Sequence, residues 1–352
     1  MGEPRQQVIR DPRIRLLQNN KQSARCRFIT DLSGANAPQA RRPVVELMRT
    51  PPRQDYVRTG IRTRGGYSGI PSGRAPSGLG SSTQLGSIAK IGGYPVRREY
   101  PILEFDASGD ALINPRNSYA RMDIADHCVP CFFREVIDNL VRDGRAQMRF
   151  EMVAESGVTP VYEVELGGRK FALFHPGLGG PSAAKNLEKV IALGCSTFIA
   201  CGGAGALDRN IQLGHLVIPK SAVRDEGTSY HYLPPSREVD ADARAVQSIQ
   251  DVLEAHGIGY LVSKTWTTDA FYRSTPAKIH QRKLEGCLTV EMECATFFAV
   301  AQFRRVRVAS LLYGGDDLGS ETWESRDWTK QASTREKLFW LTAEACLGVS
   351  NT

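Results

Sequence analysis

FALFHPGLGGPSAAKNLEKVIALGCSTFIAC, residues 171–201, contains two short apolar runs separated by a stretch with helical spacing. The two runs, at 171–174 and 197–201, are typical of buried strands. Between them, Pro181 stands at the first position of a predicted helix and Gly194 follows the end of that helix. The segment therefore predicts a strand–helix–strand crossover.

The chain from Pro101 onward repeats this alternation of short apolar runs and helical patterns. Apolar residues at helical spacing from Val129 to Val141 predict a helix that Gly144 ends. Further strands are predicted at 215–223, 259–265, 287–291 and 306–313, and further helices near 241–256, 276–285, 294–304 and 334–347. The pattern indicates one α/β domain over residues 99–352, with helices on both faces of a sheet.

The first 98 residues differ sharply from the rest in charge and composition. They contain 18 Lys and Arg against 5 Asp and Glu, whereas the remaining 254 residues contain 27 against 33. They are also rich in Pro and Gly and show no sustained apolar period, so we expect a disordered leader over residues 1–98. A nucleic-acid-binding arm and a transit peptide are the functional alternatives. Sparse aromatic residues disfavour the first of these.

The cysteines and the hydropathy pattern bear on the compartment. Eight cysteines are scattered, mostly within apolar segments, which is typical of reduced thiols, so we expect a cytoplasmic protein. Cys128 and Cys131 have redox-motif spacing, but structural thiols opening a helix are the simpler interpretation. No segment has the length of apolar sequence that a membrane span needs, and no histidine or cysteine spacing predicts a metal site.

Two carboxylates flank a methionine in Val290-Glu291-Met292-Glu293-Cys294-Ala295, where a predicted buried strand gives way to an apolar helix. Ionised groups at the mouth of a packed core are unfavourable unless something binds them. One such partner is a sugar, because a carboxylate accepts hydrogen bonds from neighbouring hydroxyls and methionine offers a soft apolar surface. The alternative is that the two acids satisfy the first amides of the helix.

Glycine-rich turns follow two other predicted strands. The turn 175–182 leads into a helix N-terminus, which favours an anion, and Cys201–Ala206 repeats the arrangement after the next strand. A dinucleotide-binding turn is the competing interpretation of 175–182, but Pro181 breaks its usual spacing. We therefore expect an anion to lie against backbone amides at these strand ends. The residues proposed for this role are Gly179, Gly180, Ser182, Gly202 and Gly203.

Two further strand ends carry residues suited to a heterocyclic base. In Thr267–Arg273, the ring of Phe271 stands near the cation of Arg273, as if to stack on a base and contact its polar edge. Asp316 follows the last strand and could donate a proton to a leaving base. Two tryptophans lie in the polar run 321–328, which we interpret either as a lid or as a subunit contact.

Taken together, these motifs resemble the nucleoside phosphorylase superfamily, of the uridine phosphorylase and hexameric purine nucleoside phosphorylase type, from about residue 100 to 348. The resemblance implies a three-layer α/β/α fold around a mixed, partly barrel-like sheet, assembled as a dimer or a trimer of dimers. It implies cleavage of an N-glycosidic bond, with inorganic phosphate as co-substrate, no further cofactor, and no membrane or nucleic-acid partner. The residue roles that it implies are ribose binding by Glu291, Met292 and Glu293, base contact by Phe271 and Arg273, and catalysis by Asp316 and Glu293.

The chain departs from that family at the anion site. Where the family places an arginine and a Ser or Thr on one strand, this chain has Ala200 and Gly203, and the family's early phosphate-gripping loop has no counterpart. Arg273 or Arg224 could substitute, although either arginine could instead form a surface ion pair.

Three functions remain open at this point. They are a nucleoside phosphorylase, a nucleosidase that uses water, and a nucleoside-binding protein without turnover. The identity of the base, purine or pyrimidine, is also open.

Overall fold

The computed structural model describes residues 90–91, 94–95 and 97–350. The chain divides into two compact units, Met1–Ser81 and Ser82–Thr352, and the first lies wholly outside the described residues. The predicted leader over residues 1–98 therefore falls almost entirely outside them as well. No helix in the described part of the chain is both long and apolar enough to cross a membrane.

Twelve strands and seven α-helices make up the described part of the chain. The strands are β1 Lys90–Ile91, β2 Tyr94–Pro95, β3 His127–Pro130, β4 Ala146–Ala154, β5 Gly157–Leu166, β6 Arg169–Phe174, β7 Thr197–Ala206, β8 Leu216–Asp225, β9 Glu238–Asp240, β10 Tyr260–Thr268, β11 Cys287–Glu291 and β12 Arg307–Asp317. The helices are α1 Pro115–Ser118, α2 Arg134–Arg142, α3 Gly180–Leu193, α4 Ala243–Ala255, α5 Pro276–Leu284, α6 Cys294–Arg304 and α7 Ala332–Gly348.

The main sheet is mixed and partly closed. Its order is β11-β10-β8-β12-β7-β3-β6-β5-β4, and β11 also pairs with β7. That extra pairing closes five strands into a barrel, while the remaining strands extend outward and finish in the antiparallel β4–β5 hairpin. The mixed, partly barrel-like α/β sheet expected from the sequence is confirmed.

Helices cover both faces of this sheet and produce two apolar cores. One core includes residues of α2, α4 and α7, and the other includes residues of α3 and α6. This arrangement gives the three layers expected of an α/β/α fold. Because parallel strands need crossover connections, helices on both faces are the regular solution for such a sheet.

Local sequence explains how α3 begins and ends. Gly179 precedes it with a φ of 82°, a conformation that L side chains rarely adopt, and Pro181 lies in the first turn. Gly194 ends the helix with a φ of 136°. The helix then leads directly into β7, so the predicted strand–helix–strand crossover is confirmed.

The predicted helix over Val129–Val141 is wrong in its first third. Residues 127–130 form the buried strand β3, and the helix begins only at Arg134. Cys128 therefore lies in a strand, and Cys131 forms an isolated bridge to Cys201 rather than opening a helix. A short apolar run buried on both faces has no periodicity of its own, so the spacing of the following helix extended falsely into it.

The predicted strands also stop too early. β7 runs through the glycines to Ala206, and β12 runs through Gly314 and Gly315 to Asp317. These glycine-rich ends pair with each other, as Gly314 with Ala204 and Asp317 with Ala206, because the barrel closes there. The residues interpreted as turns after a strand are therefore partly the last residues of the strand itself.

Candidate active site

A cavity of about 330 Å³ lies where β7, β12 and the β11–α6 junction meet. Its lining combines buried carboxylates, backbone-exposing glycines, aromatic rings and one arginine. The described residues that line it are Phe132, Phe133, His175, Leu178, Ala200, Gly202, Gly203, Glu291, Glu293, Cys294, Phe297, Ser310, Leu312, Trp328 and Arg335. The size and the mixed lining suit a small polar ligand with an apolar face.

Glu293 is buried, with 6% of its surface exposed, and it lines this cavity. Its Oε1 accepts a hydrogen bond of 2.6 Å from the amide of Gly179, and its Oε2 accepts one of 3.2 Å from the amide of Met292. Burial, followed by the neighbouring charge of Glu291, raises the pKa of Glu293 to about 8. Both of these bonds are to backbone amides, which leaves each oxygen a further lone pair for a ligand.

Glu291, the other predicted ribose ligand, is held by hydrogen bonds within the chain. Its Oε2 accepts from the amides of Glu293 and Cys294 at 2.7 and 2.6 Å, and its Oε1 accepts from Thr267 Oγ1 at 2.6 Å. These donors are the first amides of α6 and a hydroxyl of the adjacent strand. Glu291 therefore closes the start of the helix, as the alternative interpretation held, although its side chain still lies in the cavity wall.

Met292 and the turn before α3 lie beside Glu293. A Cβ built on Gly179 would lie 4.0 Å from Met292 Cε, so the methionine packs against this turn. The ring of His175 lines the cavity, and its Nδ1 accepts from the amide of Gly177 at 3.1 Å. Burial, and then the charge of Arg134, lowers the pKa of His175, so the ring is neutral at pH 7.

The structure places only some of the five residues predicted to surround an anion at this cavity. Gly202 and Gly203 line the cavity, and Gly179 reaches it through its bond to Glu293. Gly180 and Ser182 are not among the described lining residues. A Cβ on Gly180 would approach Thr296 Oγ1 to 2.7 Å, so this glycine permits close packing of α3 against α6.

Ala200 and Gly203 expose a stretch of β7 without polar side chains. In the parallel pairing of β7 with β12, Ala200 lies opposite Ser310 and Gly203 opposite Tyr313. A Cβ on Gly203 would lie 3.1 Å from the Tyr313 ring, so the ring fills the space that a side chain at 203 would need. Ser310 also lines the cavity and is the nearest hydroxyl on that wall in the strand register.

Asp316 and Asp317 end β12 in different environments. Asp316 accepts a hydrogen bond of 2.7 Å from Trp323 Nε1. Asp317 is buried and pairs with Arg326 at 2.6 Å, which ties the segment after β12 to the strand. Trp328 of the same segment lines the cavity, whereas Asp316 is not among the described lining residues. The tryptophan-bearing run therefore contributes Trp328 to the cavity lining, and its Trp323 bonds to Asp316.

The residues predicted to contact a base lie apart from this cavity. Phe271 is 48% exposed and packs on Tyr272, with ring centroids 4.0 Å apart. Neither Phe271 nor Arg273 is among the described residues that line the cavity. They lie in a short 3-10 turn after β10, a strand that belongs to the same barrel.

Arg224, the other arginine considered for an anion, is committed elsewhere. It is buried, and its guanidinium donates to Ser229 Oγ, Ser236 Oγ and the carbonyl of Pro234 at 2.7 to 2.8 Å. It also stacks over the ring of Tyr230. These contacts fold the loop after β8 and leave Arg224 outside the described cavity lining.

The arginine that does line the cavity, Arg335, was missed by the sequence interpretation. It lies in the first turn of α7, and 8% of its surface is exposed. Its Nη1 donates to Glu135 Oε1 at 2.6 Å and its Nε to the hydroxyl of Tyr313 at 3.1 Å. Helical spacing around 334–347 predicted the helix but carried no signal that this residue would reach a site formed by distant strands.

Within the part of the chain that the structure describes, no group of three or more His, Cys, Asp or Glu side chains is placed to hold a metal ion. The seven described cysteines are free thiols and buried. The described lining of this cavity thus offers a ligand acid–base groups, backbone amides and one guanidinium.

Comparison with known sequences places residues 128–343 within a match to the phosphorylase superfamily. A guanosine phosphorylase of Halorubrum lacusprofundi is 29% identical over 182 residues, which cover 49% of this chain and 74% of that protein. A uridine phosphorylase of Thermococcus kodakarensis is 40% identical over 147 residues, covering 37% of this chain. The aligned part spans only about half, 52%, of that relative's length.

Solved structures resemble the fold at low sequence identity. A purine nucleoside phosphorylase from Toxoplasma gondii, in complex with immucillin-H, has a TM-score of 0.56 and 18% identity, covering 64% of this chain and 91% of that one. A uridine phosphorylase from Vibrio fischeri has a TM-score of 0.52 and 22% identity, and the match covers 64% of this chain and 92% of that one. An AMP nucleosidase from Bacteroides thetaiotaomicron has a TM-score of 0.50 and 20% identity, and the match covers 63% of this chain and 87% of that one. At these identities the likeness concerns the fold.

Proposed function

Because the chain belongs to the phosphorylase superfamily, with a match over residues 128–343, we propose that it is a nucleoside phosphorylase. The reaction is reversible phosphorolysis of the N-glycosidic bond of a ribonucleoside or deoxyribonucleoside. A phosphate oxygen attacks the anomeric carbon, the bond to the base breaks, and its electron pair leaves with the base. The products are a (deoxy)ribose 1-phosphate and a free base that gains a proton.

The placement of Glu293 is the observation that carries this proposal. Its carboxyl group is buried in the cavity wall and is held by the amides of Gly179 and Met292 alone among described residues. The oxygens can therefore accept hydrogen bonds from the two hydroxyls of a ribose. Positive charge develops on the sugar as the glycosidic bond breaks, so acceptor oxygens that hold its hydroxyls stabilise that transition state more than the ground state.

Met292 and Asp316 take the supporting roles in this proposal. Met292 packs beside Glu293 and presents an apolar surface to the sugar ring. Asp316 is the group proposed to protonate or hydrogen-bond the leaving base, and Trp323 Nε1 is its present partner. Phe271 and Arg273 stay proposed base contacts, and their exposure means that they reach a base only if it extends from the cavity toward the end of β10.

The relatives act on nucleosides with different bases, so the base that this chain accepts belongs to the proposal. The named relatives include both a guanosine and a uridine phosphorylase. The base, purine or pyrimidine, stays open, and Asp316 is proposed to protonate or hydrogen-bond a ring nitrogen if the base is a purine. Assembly into dimers or a trimer of dimers and a cytoplasmic location in nucleoside salvage complete the proposal.

The test is release of free base by the purified full-length chain from uridine, inosine, guanosine, adenosine and their deoxy forms. Each nucleoside is incubated with and without inorganic phosphate, and base and sugar 1-phosphate are both measured. Release that requires phosphate, with stoichiometric sugar 1-phosphate, is expected.

Hydrolysis is the second candidate, because the β7 residues Ala200 and Gly203 that line the cavity offer phosphate neither a cation nor a hydroxyl. Base release at an unchanged rate without phosphate would establish it and would contradict phosphorolysis. Saturable nucleoside binding without any base release would instead identify a binding protein.

A further inference from the structure

The cavity has carboxyl groups at one wall and needs a cation at another if it is to hold phosphate. Glu291 and Glu293 lie at the β11–α6 junction, and β7 contributes only Ala200 and two glycines. Arg335 is the single Lys or Arg among the described residues that line the cavity. A phosphate dianion is held most strongly by charge-assisted hydrogen bonds, and arginine supplies them in a planar, fixed geometry.

Arg335 is held in place on three sides. Its guanidinium carbon lies 5.2 Å from the ring centroid of Phe133 and 5.5 Å from that of Trp328. The bonds from Nε to Tyr313 and from Nη1 to Glu135 fix its plane. No described residue accepts a hydrogen bond from Nη2, so this nitrogen keeps its donors for a ligand.

The absence of a side chain at position 203 and the position of Arg335 are linked through Tyr313. The Tyr313 ring occupies the space beside Gly203, as the 3.1 Å approach of a Cβ built there shows. The hydroxyl of that ring donates to the carbonyl of Trp328 at 2.9 Å and accepts from Arg335 Nε. A side chain at 203 would require the ring to shift by a few tenths of an ångström, and the hydroxyl that accepts from Arg335 belongs to the same ring.

We propose that Arg335 binds the phosphate dianion in this cavity, in place of a cation on β7, and that Tyr313 is the positioning residue that orients it. The inference rests on the proposed phosphorolysis for the identity of the anion as inorganic phosphate. Nη2 donates to a phosphate oxygen, and the amides of Gly202 and Gly203 lie on the strand beside it.

Charge within the cavity is consistent with this assignment. Burial alone would lower the pKa of Arg335, but its bonds to Glu135 and Tyr313 raise it, so the guanidinium stays charged. Since the pKa of Glu293 is raised to about 8, a large share of that carboxyl group is protonated near pH 7. Repulsion between this carboxyl and an incoming phosphate is correspondingly reduced.

The first test is direct binding of inorganic phosphate, measured by titration calorimetry in a phosphate-free buffer on the full-length chain. Arg335→Gln is expected to weaken binding about tenfold or more, because a charge-assisted bond is lost. Arg335→Lys, which keeps the charge but not the fork, is expected to lie between wild type and Arg335→Gln.

The matched control is Arg304→Gln. Arg304 is also a paired arginine with little exposure: 12% of its side chain is exposed against 9% for Arg335, and it pairs with Glu188 outside the described cavity lining. Its phosphate affinity is expected to equal that of wild type. Equal phosphate affinity of wild type and folded Arg335→Gln overturns the inference, as does a wild-type chain that binds no phosphate.

A second variant keeps the test decisive if Arg335→Gln fails to fold. Tyr313→Phe retains the ring beside Gly203 and removes only the hydroxyl that accepts from Arg335. The KM for phosphate is expected to rise several-fold, while kcat at saturating phosphate changes little. A lower melting temperature with an unchanged KM for phosphate would show a purely structural role and contradict the positioning role.

The outcomes separate this inference from the proposed function. Phosphate binding is measured without turnover, so loss of binding in Arg335→Gln supports the anion role even if no nucleoside is cleaved. Conversely, phosphate-dependent base release that is indifferent to Arg335 keeps the proposed function and removes the inference. Weaker binding of a nucleoside 5′-monophosphate, with unchanged affinity for inorganic phosphate, also overturns it.

Discussion

The two walls of the cavity are built in contrasting ways. The wall proposed to bind the sugar, here called the sugar wall, comes from one continuous segment, Glu291–Cys294, in which a strand ends and a helix begins within three residues. Another wall, the anion wall, combines Gly203 of β7 and Arg335 of α7, and Tyr313 of β12 bonds to Arg335 from outside the described cavity lining; only the folded barrel brings these residues together. Candidate site residues within one short segment can be predicted from the sequence, whereas a site built from three separate elements can be identified only in the structure.

The largest expected effect tests the sugar wall. Glu293→Gln replaces one of the two acceptor oxygens proposed to hold the ribose hydroxyls with an NH2 group, so turnover of a nucleoside is expected to fall about 100-fold. Its two hydrogen-bond partners among the described residues are backbone amides, which the remaining amide oxygen can still partly satisfy, so the fold should be retained. Steady-state base release and a melting curve on the same preparation measure both; unchanged turnover would remove Glu293 from the sugar site.

Glu291 should behave in the opposite way, although it is only two residues away. Glu291→Ala leaves two backbone amides of the α6 start and the Thr267 hydroxyl without their acceptor. Unfolding free energy is expected to fall by about 1 to 3 kcal/mol. Chemical denaturation measures it, and Glu291→Gln, which keeps one acceptor oxygen, is the matched control with a smaller loss. Equal stability of Glu291→Ala and wild type would contradict the capping role.

These two acids also show how far sequence reasoning reached. The crossover over 171–201, the strand-to-helix change at Glu291–Cys294 and the helix over 334–347 all follow from apolar spacing, and the structure confirms them. Which acid caps the helix and which faces the cavity could not be predicted. That division depends on the backbone turn at Glu293, with φ −137° and ψ −29°, and not on residue type.

The residues of the anion wall could not be predicted from the sequence for a different physical reason. The glycine-rich ends of β7 and β12 pair in parallel, and this register places Tyr313 opposite Gly203. Registers between strands distant in the chain leave no local periodic signal, so the candidates considered from sequence were Arg224 and Arg273. The structure commits Arg224 to the loop after β8 and places Arg273 outside the described cavity lining.

An intermediate effect should appear in the pH dependence of stability. Burial, then the charge of Glu291, raises the pKa of Glu293 to about 8, above the value of about 4.3 for a glutamate in an unfolded chain. The folded state therefore holds a proton that the unfolded state releases, so stability falls as pH rises from about 4.3 through 8. The melting temperature of wild type should decrease more steeply between pH 6 and 8.5 than that of Glu293→Gln. Parallel curves for the two proteins would mean that Glu293 ionises normally.

The smallest expected effect concerns the segment that joins the two walls. Trp323 is 65% exposed, and its Nε1 donates to Asp316 at 2.7 Å, so a base that uses Asp316 must replace this bond. Trp323→Phe removes the competing donor while keeping an aromatic ring. The KM for the nucleoside is expected to fall about threefold, less than the full value of a bond to a charged group because the site is open to solvent. Steady-state kinetics at saturating phosphate measures the change, with Trp323→Phe/Asp316→Asn as the control in which the advantage should disappear. A raised KM would instead mean that Trp323 holds Asp316 in its working orientation, and the segment would then belong with the positioning residues of the base rather than with its competitors.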